Sequence, residues 1–221
     1  MSLTLHYHPL ASFCWKVLIA LYENDTPFEK LVVDLGDEAS RAAFFKLWPV
    51  GKFPVLQDKA RDRIVPESSI VIDYLDQYFP GRVTFVPKDP ELARQTRLAD
   101  RFFDLYVHEP LQKIVGDKIR PEGSHDLFGV ERARQMLQTA YALIDEDIRS
   151  KTWAIGGDFT LADCSAFPAL FYADKVEPLT SKYRNAARYL ERLSTRPSVA
   201  RVVEEAQPYM PLFPFYEPEQ A

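Results

Sequence analysis

The chain has 221 residues, 47% hydrophobic and 27% charged, with a net charge of −5 at pH 7. That is enough for one large domain or two small ones around a real core. Lys and Arg are scattered rather than gathered into a basic stripe, which argues against nucleic acid as a partner, and no uninterrupted apolar run is long enough to span a bilayer.

The N-terminus, MSLTLHYHPL, lacks the charged flank and apolar segment of a signal peptide. The two cysteines, Cys14 and Cys164, stand far apart and form no CxxC, which suits a reducing compartment and a cytoplasmic location.

Residues 3–8, LTLHYH, read as a short strand. Residues 13–23 follow as a helix apolar nearly all round, broken only by Lys16 and Glu23, so it is expected to be covered on more than one side. PFEKLVVD (27–34) reads as a second strand and EASRAAFFKL (38–47) as a short helix. FPVLQD and RIVPE, separated by KARD, suggest an antiparallel hairpin. SSIVIDYLDQYF (68–79) sets Ile70, Val71, Tyr74, Leu75 and Tyr78 on one helical face. The stretch 80–90, PGRVTFVPKDP, is Pro- and Gly-rich and reads as a linker. Beyond it helical patterns run over about 90–117, 128–149, 160–175, 183–194 and 197–206, with no convincing strand. The expected organisation is an α/β unit, βαβαββα, over 1–80, a linker over 81–90 and an all-helical unit over 91–221.

The chemistry gathers around LWPVGKFPVLQDK (47–59) and VPESSIVIDYL (65–75). Pro54 cannot donate to a ladder and belongs at the start of a strand, with Phe53 extended before it. A cis Phe53–Pro54 bond would turn the Phe53 backbone outward, whereas in the plainer reading Gly51 and Pro54 only shape a loop. Glu67-Ser68 opens a helix, whose free N–H groups favour an anion. Glu67 beside them suits an ammonium. A carboxylate and an ammonium on one ligand describe an amino-acid α-carbon.

These segments, SFCWKV, PVGKFP, ESSIVIDYL and GDFTLAD in that order and spacing, resemble the cytosolic glutathione transferase family over essentially the whole chain, and within it the bacterial serine-type members. The resemblance implies a thioredoxin-like N-terminal domain, an all-α C-terminal domain and glutathione as co-substrate in the cleft between them. It also implies a cis Pro54, Phe53 pairing its backbone with the cysteinyl part of glutathione, Glu67 and Ser68 holding the γ-glutamyl end, and Lys52 meeting the glycyl carboxylate. FTLAD matches the family's helix-capping signature, and its residues read independently as a capping-box variant, so Thr160 and Asp163 are assigned to folding.

A glutathione thiol, with a pKa near ~8.5, is mostly protonated at neutral pH, and only its thiolate attacks. A hydroxyl at a helix N-terminus can stabilise that thiolate. Ser12 is the first candidate, against the plain alternative that it only caps the helix. Tyr7, at the end of the first strand, is the second. Cys14 is expected in the core. His6 and His8 share a strand face but lack a third ligand, so no metal site is expected. For the electrophile pocket the first helix of the helical unit offers Tyr106 and His108, against packing or capping roles, with a kink expected at Pro110. The aromatic tail 209–221 could fold over the cleft or pack on the surface.

The function expected is conjugation of the glutathione thiolate to small apolar electrophiles by a homodimer. The alternative is a non-catalytic scaffold of the same fold that binds a protein partner, since fold does not fix function.

Overall fold

The computed structural model describes residues 2–179 and 181–217. The chain opens with β1 (Leu3–Tyr7), α1 (Ser12–Glu23), β2 (Glu29–Val32) and α2 (Glu38–Leu47). The hairpin of β3 (Val55–Asp58) and β4 (Arg63–Pro66) follows, and α3 (Ser68–Tyr78) closes this part. The strands form one mixed sheet in the order β2-β1-β3-β4. β1 runs parallel to β2, with Leu5 opposite Lys30, and antiparallel to β3, with Leu5 opposite Leu56. β3 pairs antiparallel with β4. β1–α1–β2 is thus a crossover unit and β3–β4 a hairpin, the two connections that parallel and antiparallel neighbours require.

α1 is covered on nearly every side. All its residues except Phe13 are buried, and it packs against α3 and against two later helices. Its two charges are buried with the rest, Lys16 and Glu23 each being 1% exposed. A buried charge is tolerated only when paired and hydrogen-bonded, and both are, as described below.

The rest is helical: α4 (Pro90–Phe102), α5 (Glu109–Lys118), α6 (Leu127–Ile148), α7 (Leu161–Val176), α8 (Arg184–Ser194) and α9 (Pro197–Ala206). α7 is the centre of this part; it packs on α1, α4, α5 and α8. Trp15 of α1 lies among Phe167, Phe171 and Tyr172 of α7, with centroids 4.9–6.0 Å away, and its indole N–H donates to the Pro9 carbonyl. Such a ring carries a large apolar burial and still satisfies its polar atom. The capping box is formed: Thr160 Oγ1 accepts from Ala162 N–H, and Asp163 reaches back to accept from Thr160 N–H at 2.9 Å.

Two expectations change. α1 starts one residue earlier, and its N-cap is Ala11, so Ser12 is not a cap. The helix expected over 90–117 is not a plain α-helix kinked at Pro110. α4 passes into a π-turn over Phe103–His108 and then into α5, and Glu109 N–H bonds to the Asp104 carbonyl five residues back. The widened turn stands immediately before the proline, which has no N–H for the ordinary ladder. In the tail, α9 runs into a 3-10 turn over Gln207–Leu212. Residues 218–221 of the tail lie outside the described residues.

Candidate active site

A cleft of about 990 Å³ opens between the sheet domain and the helices. Its sheet-domain wall includes Ala11, Ser12, Phe13, Lys52, Phe53, Glu67, Ser68 and Ser69; its helical wall includes Arg101, Asp104, Leu105, His108, Leu111 and Gln112. Ser12, Lys52, Phe53, Glu67, Ser68 and His108 are therefore brought together. The Phe53–Pro54 bond is cis, and Pro54 is buried at the start of β3. The turn before it depends on Gly51. Gly51 has φ +69°, and a Cβ there would stand 2.3 Å from the Phe45 ring.

Two helices point their N-termini into this cleft, and neither is capped by a side chain. The starts of α2, α4, α6 and α7 are closed by Asp37, Asp89, Asp126 and Thr160; α8 and α9 also lack a cap bond from their N-cap side chain but do not line this cleft, and α5 continues the π-turn without a free start. An uncapped N-terminus leaves backbone N–H groups and the positive end of the helix dipole for an anion. At α3 the preceding residue, Glu67, has φ +69°. That is strained for a residue with a Cβ and costs of order 1–3 kcal/mol. Its neighbour Ser68 is buried, while Glu67 itself remains exposed at the cleft.

At α1 the Ser12 hydroxyl is buried, and its Oγ lies 3.0 Å from Nε2 of His108. His108 is 4% exposed, and the Phe13 ring stands against it edge-on with centroids 4.2 Å apart. Burial, with the Lys16 cation adding to it, lowers its pKa to about 3. His108 is thus neutral throughout the physiological range and a weak proton acceptor.

Beneath the site lies an ion-pair network that the sequence reading missed. Lys16 Nζ donates to Asp100 (2.8 Å), Asp104 (2.9 Å) and Ser69 Oγ (3.1 Å). Ser69 in turn donates to Asp100 at 2.7 Å, and Ser165 of α7 donates to the same carboxylate. Burial raises the Asp104 pKa, with the Lys16 charge opposing. The network ties α1, α3, α4, the π-turn and α7 together, and two of its members, Ser69 and Asp104, line the cleft. Its signal in the sequence is one Lys inside an apolar helix and two Asp four apart on another.

Other candidates stand elsewhere. Tyr106 does not line the cleft; its ring packs 5.3 Å from Phe102 and it is 46% exposed. The reason is helical phase. Arg101, Asp104, Leu105, His108 and Gln112 share the cleft face, and Tyr106 projects off that stripe. Tyr7 is buried outside the lining, its pKa pushed up to about 12 by burial and then by Glu205, Tyr209 and Cys14. Cys14 is fully buried, and burial pushes its thiol well above the ordinary range, as befits a core residue. His6 stacks on Phe44 and His8 on Phe53. From the tail, Phe213 lines the cleft beside Tyr172 and Tyr209 stands edge-on to His8, so the tail reaches the cleft rim.

A sheet of this order with a cis proline at one end, followed by a helical domain that closes a polar cleft, defines the glutathione transferase class of folds. Comparison with known proteins agrees. Residues 5–83 match the glutathione S-transferase N-terminal domain and residues 128–192 the C-terminal domain. The chain belongs to the glutathione S-transferase family. It is 26% identical to a probable maleylacetoacetate isomerase of Caenorhabditis elegans, over 90% of this chain and 91% of that protein. It is 25% identical to FtsZ-localized protein A of Caulobacter vibrioides, over 93% and 92%. The crystal structure of a glutathione S-transferase from Methylobacterium radiotolerans in complex with glutathione sulfonate superposes with a TM-score of 0.80 at 26% identity, covering 91% of this chain and 94% of that one.

Proposed function

We propose that the protein is a glutathione transferase of the serine type, with residues 1–80 binding glutathione, 81–90 as linker and 91–221 supplying the electrophile pocket. The observation that carries this reading is the pair of uncapped helix N-termini opening on one cleft. Glutathione has two groups to match them, a γ-glutamyl carboxylate for α3 and a cysteinyl sulfur for α1. Glu67 takes the γ-glutamyl ammonium, Ser68 its carboxylate, the Phe53 backbone beside Pro54 the cysteinyl amide, and Lys52 the glycyl carboxylate. The solved relative that holds glutathione sulfonate supports this choice of ligand.

The chemistry follows from the arrangement. The thiol loses its proton to solvent, and the thiolate is stabilised by the Ser12 hydroxyl and the α1 dipole. The sulfur then forms a bond to an electrophilic carbon held against Phe13, Leu111 and Phe213, either displacing a leaving group that departs with its bonding electrons or adding to an activated double bond whose displaced electrons take up a proton from solvent. The protein contributes orientation and a preorganised field; glutathione contributes the nucleophile. Isomerisation through a reversible glutathione adduct would use the same thiolate, as the name of the nematode relative suggests. Tyr106, lying off the cleft face, takes no part in the binding we assign, and His108 acts on Ser12. We place the protein in the cytoplasm as a homodimer. Leu98, Phe102 and Leu143 line an apolar pocket of about 330 Å³ between α4 and α6, and Leu98 and Leu143 are more than half exposed, the kind of face a second copy would cover.

The test is to titrate glutathione into the protein at neutral pH and record ultraviolet absorbance. A saturating thiolate band is the expected result. Binding by calorimetry without such a band would favour the non-catalytic scaffold of the same fold.

A further inference from the structure

We propose a second ligand site, for the phosphate dianion, in the pocket where the linker, the end of α1 and the α8–α9 turn meet. This pocket of about 570 Å³ is lined by Arg82, Arg192, Arg196, Glu23, Trp153 and Thr195, among others, and shares no residue with the cleft. Three guanidinium groups and one carboxylate line it, and two of the three, Arg196 and Arg82, lie against that carboxylate. Arg196 is spent on it, with a two-pronged pair to Glu23 at 2.9 and 2.7 Å, and its guanidinium is stacked 4.0 Å over Phe159. Arg82 gives its Nε to the Glu23 carbonyl at 2.6 Å, but its nearest terminal nitrogen stays 3.7 Å from the carboxylate and its side chain is 64% exposed.

Arg192 is the unbalanced group. It is half-buried between Trp153 and Tyr189, with its carbon 6.0 and 5.8 Å from the ring centres. Its Nε is shut off from water with no acceptor, and no carboxylate pairs with it among the described residues. That one N–H has lost its hydration and gained no hydrogen-bond partner. The C-terminal dipole of α8 offsets part of that loss, and the terminal nitrogens are the part of Arg192 that a ligand in the pocket would meet.

What remains is the terminal nitrogens of Arg82 and Arg192, lining one pocket with a Glu23 already paired with Arg196. The complement is a small group with acceptors only, at least two oxygens and two negative charges, for which the planar fork is the usual partner. Phosphate dianion meets this, free or as a monoester whose organic part rests against Trp153. Since Arg82 lies in the linker, Glu23 in the sheet domain and Arg192 in the helical domain, the bound anion would brace the joint between domains. The site does not depend on what the cleft binds.

Isothermal titration of the full-length protein with inorganic phosphate and with phenyl phosphate, against sodium chloride at matched ionic strength, tests it. Saturable binding of phosphate at one site per chain is expected. Arg192→Gln and Arg82→Gln should each weaken it by about tenfold or more, the scale of one charge-assisted hydrogen bond. Arg82 lies on the exposed linker, so its variant serves even if Arg192→Gln does not fold. Tighter binding of phenyl phosphate than of inorganic phosphate identifies a monoester; the reverse identifies the free ion. Heats no greater than those of chloride, or affinity unchanged in both variants, would overturn the proposal.

Discussion

Ser12 Oγ lies 3.0 Å from His108 Nε2, and both side chains are buried at the start of α1. The consequence is a choice of proton direction. If His108 carries its proton on Nε2, it donates to Ser12, and the serine hydroxyl is free to turn its own proton toward a thiolate. If the proton is on Nδ1, Ser12 donates to His108 and has nothing left for sulfur. A relay that pulls the thiol proton through Ser12 onto His108 is disfavoured, because a pKa of about 3 makes the imidazole far too weak a base. The transferase reading therefore requires the Nε2–H tautomer, which nitrogen chemical shifts of His108 report directly.

Ser12→Ala should raise the pKa of the bound glutathione thiol and slow conjugation by up to ~10²-fold, the loss for one preorganised donor. Glutathione affinity should change little. Because Ala11 is the cap, the stability cost comes instead from a buried imidazole nitrogen left without its partner, about 1–3 kcal/mol. Tyr7→Phe is the control and should leave the ultraviolet thiolate band intact. An unchanged thiol pKa in Ser12→Ala would remove the serine from the mechanism.

His108→Phe should flatten the acid limb of the stability curve. The folded-state pKa is depressed to about 3, from an ordinary value of 6.5. Below pH 6.5 the unfolded chain therefore binds a proton that the folded one refuses, so stability is full above about pH 6.5 and is lost as pH falls toward 3. The loss amounts to a few kcal/mol at most, at 1.36 kcal/mol per pKa unit. Urea midpoints of wild type and variant should converge as the pH is lowered. Parallel curves would show that His108 is not the group responsible.

Glu67→Ala should weaken glutathione binding by roughly 1.5–3 kcal/mol, the scale of a hydrogen bond to a charged group. The strained backbone at this position, φ +69°, would still cost the variant its strain, so little compensating gain in stability is expected. Calorimetry giving wild-type affinity would remove Glu67 from the γ-glutamyl site.

Asp163→Ala should be among the most damaging single changes in the helical domain. Its carboxylate accepts from Thr160 N–H, Thr160 Oγ1, Ala154 N–H and Tyr189 O–H, all of them buried contacts. Removing it leaves several buried donors unpaired, at about 3–5 kcal/mol. Denaturant unfolding of the variant should show this without any altered contact in the cleft. A midpoint close to that of wild type would mean that water replaces the carboxylate.

Sedimentation at micromolar concentration should show a dimer, and Leu98→Glu with Leu143→Glu should convert it to a species of 25.5 kDa, since both side chains are more than half exposed beside one apolar pocket. Wild type that already sediments as the monomer would refute the assembly.

The division into a mixed-sheet unit and a helical one is legible along the chain, because side-chain period and Pro/Gly punctuation are local signals. So are the Thr160–Asp163 box, whose partners lie three residues apart, and the position of Glu67-Ser68 at a helix start. Other features lie beyond the reach of local signals because they join residues far apart in the chain. Ser12 meets His108 across 96 positions, and Lys16 meets Asp100 across 84. No local pattern reports such pairs. From its own neighbourhood Ser12 reads either as a thiolate donor or as a plain cap; the fold makes Ala11 the N-cap and sets the Ser12 hydroxyl against an imidazole. The same limit misplaced Tyr106: spacing along a helix gives a face, but only the packing of α4 and the π-turn against α7 decides which face meets the cleft. The energies divide in the same way. Propensity and capping act within a turn or two, whereas desolvation, which neutralises His108 and forces Lys16 to pair, acts only once the domains have closed on each other.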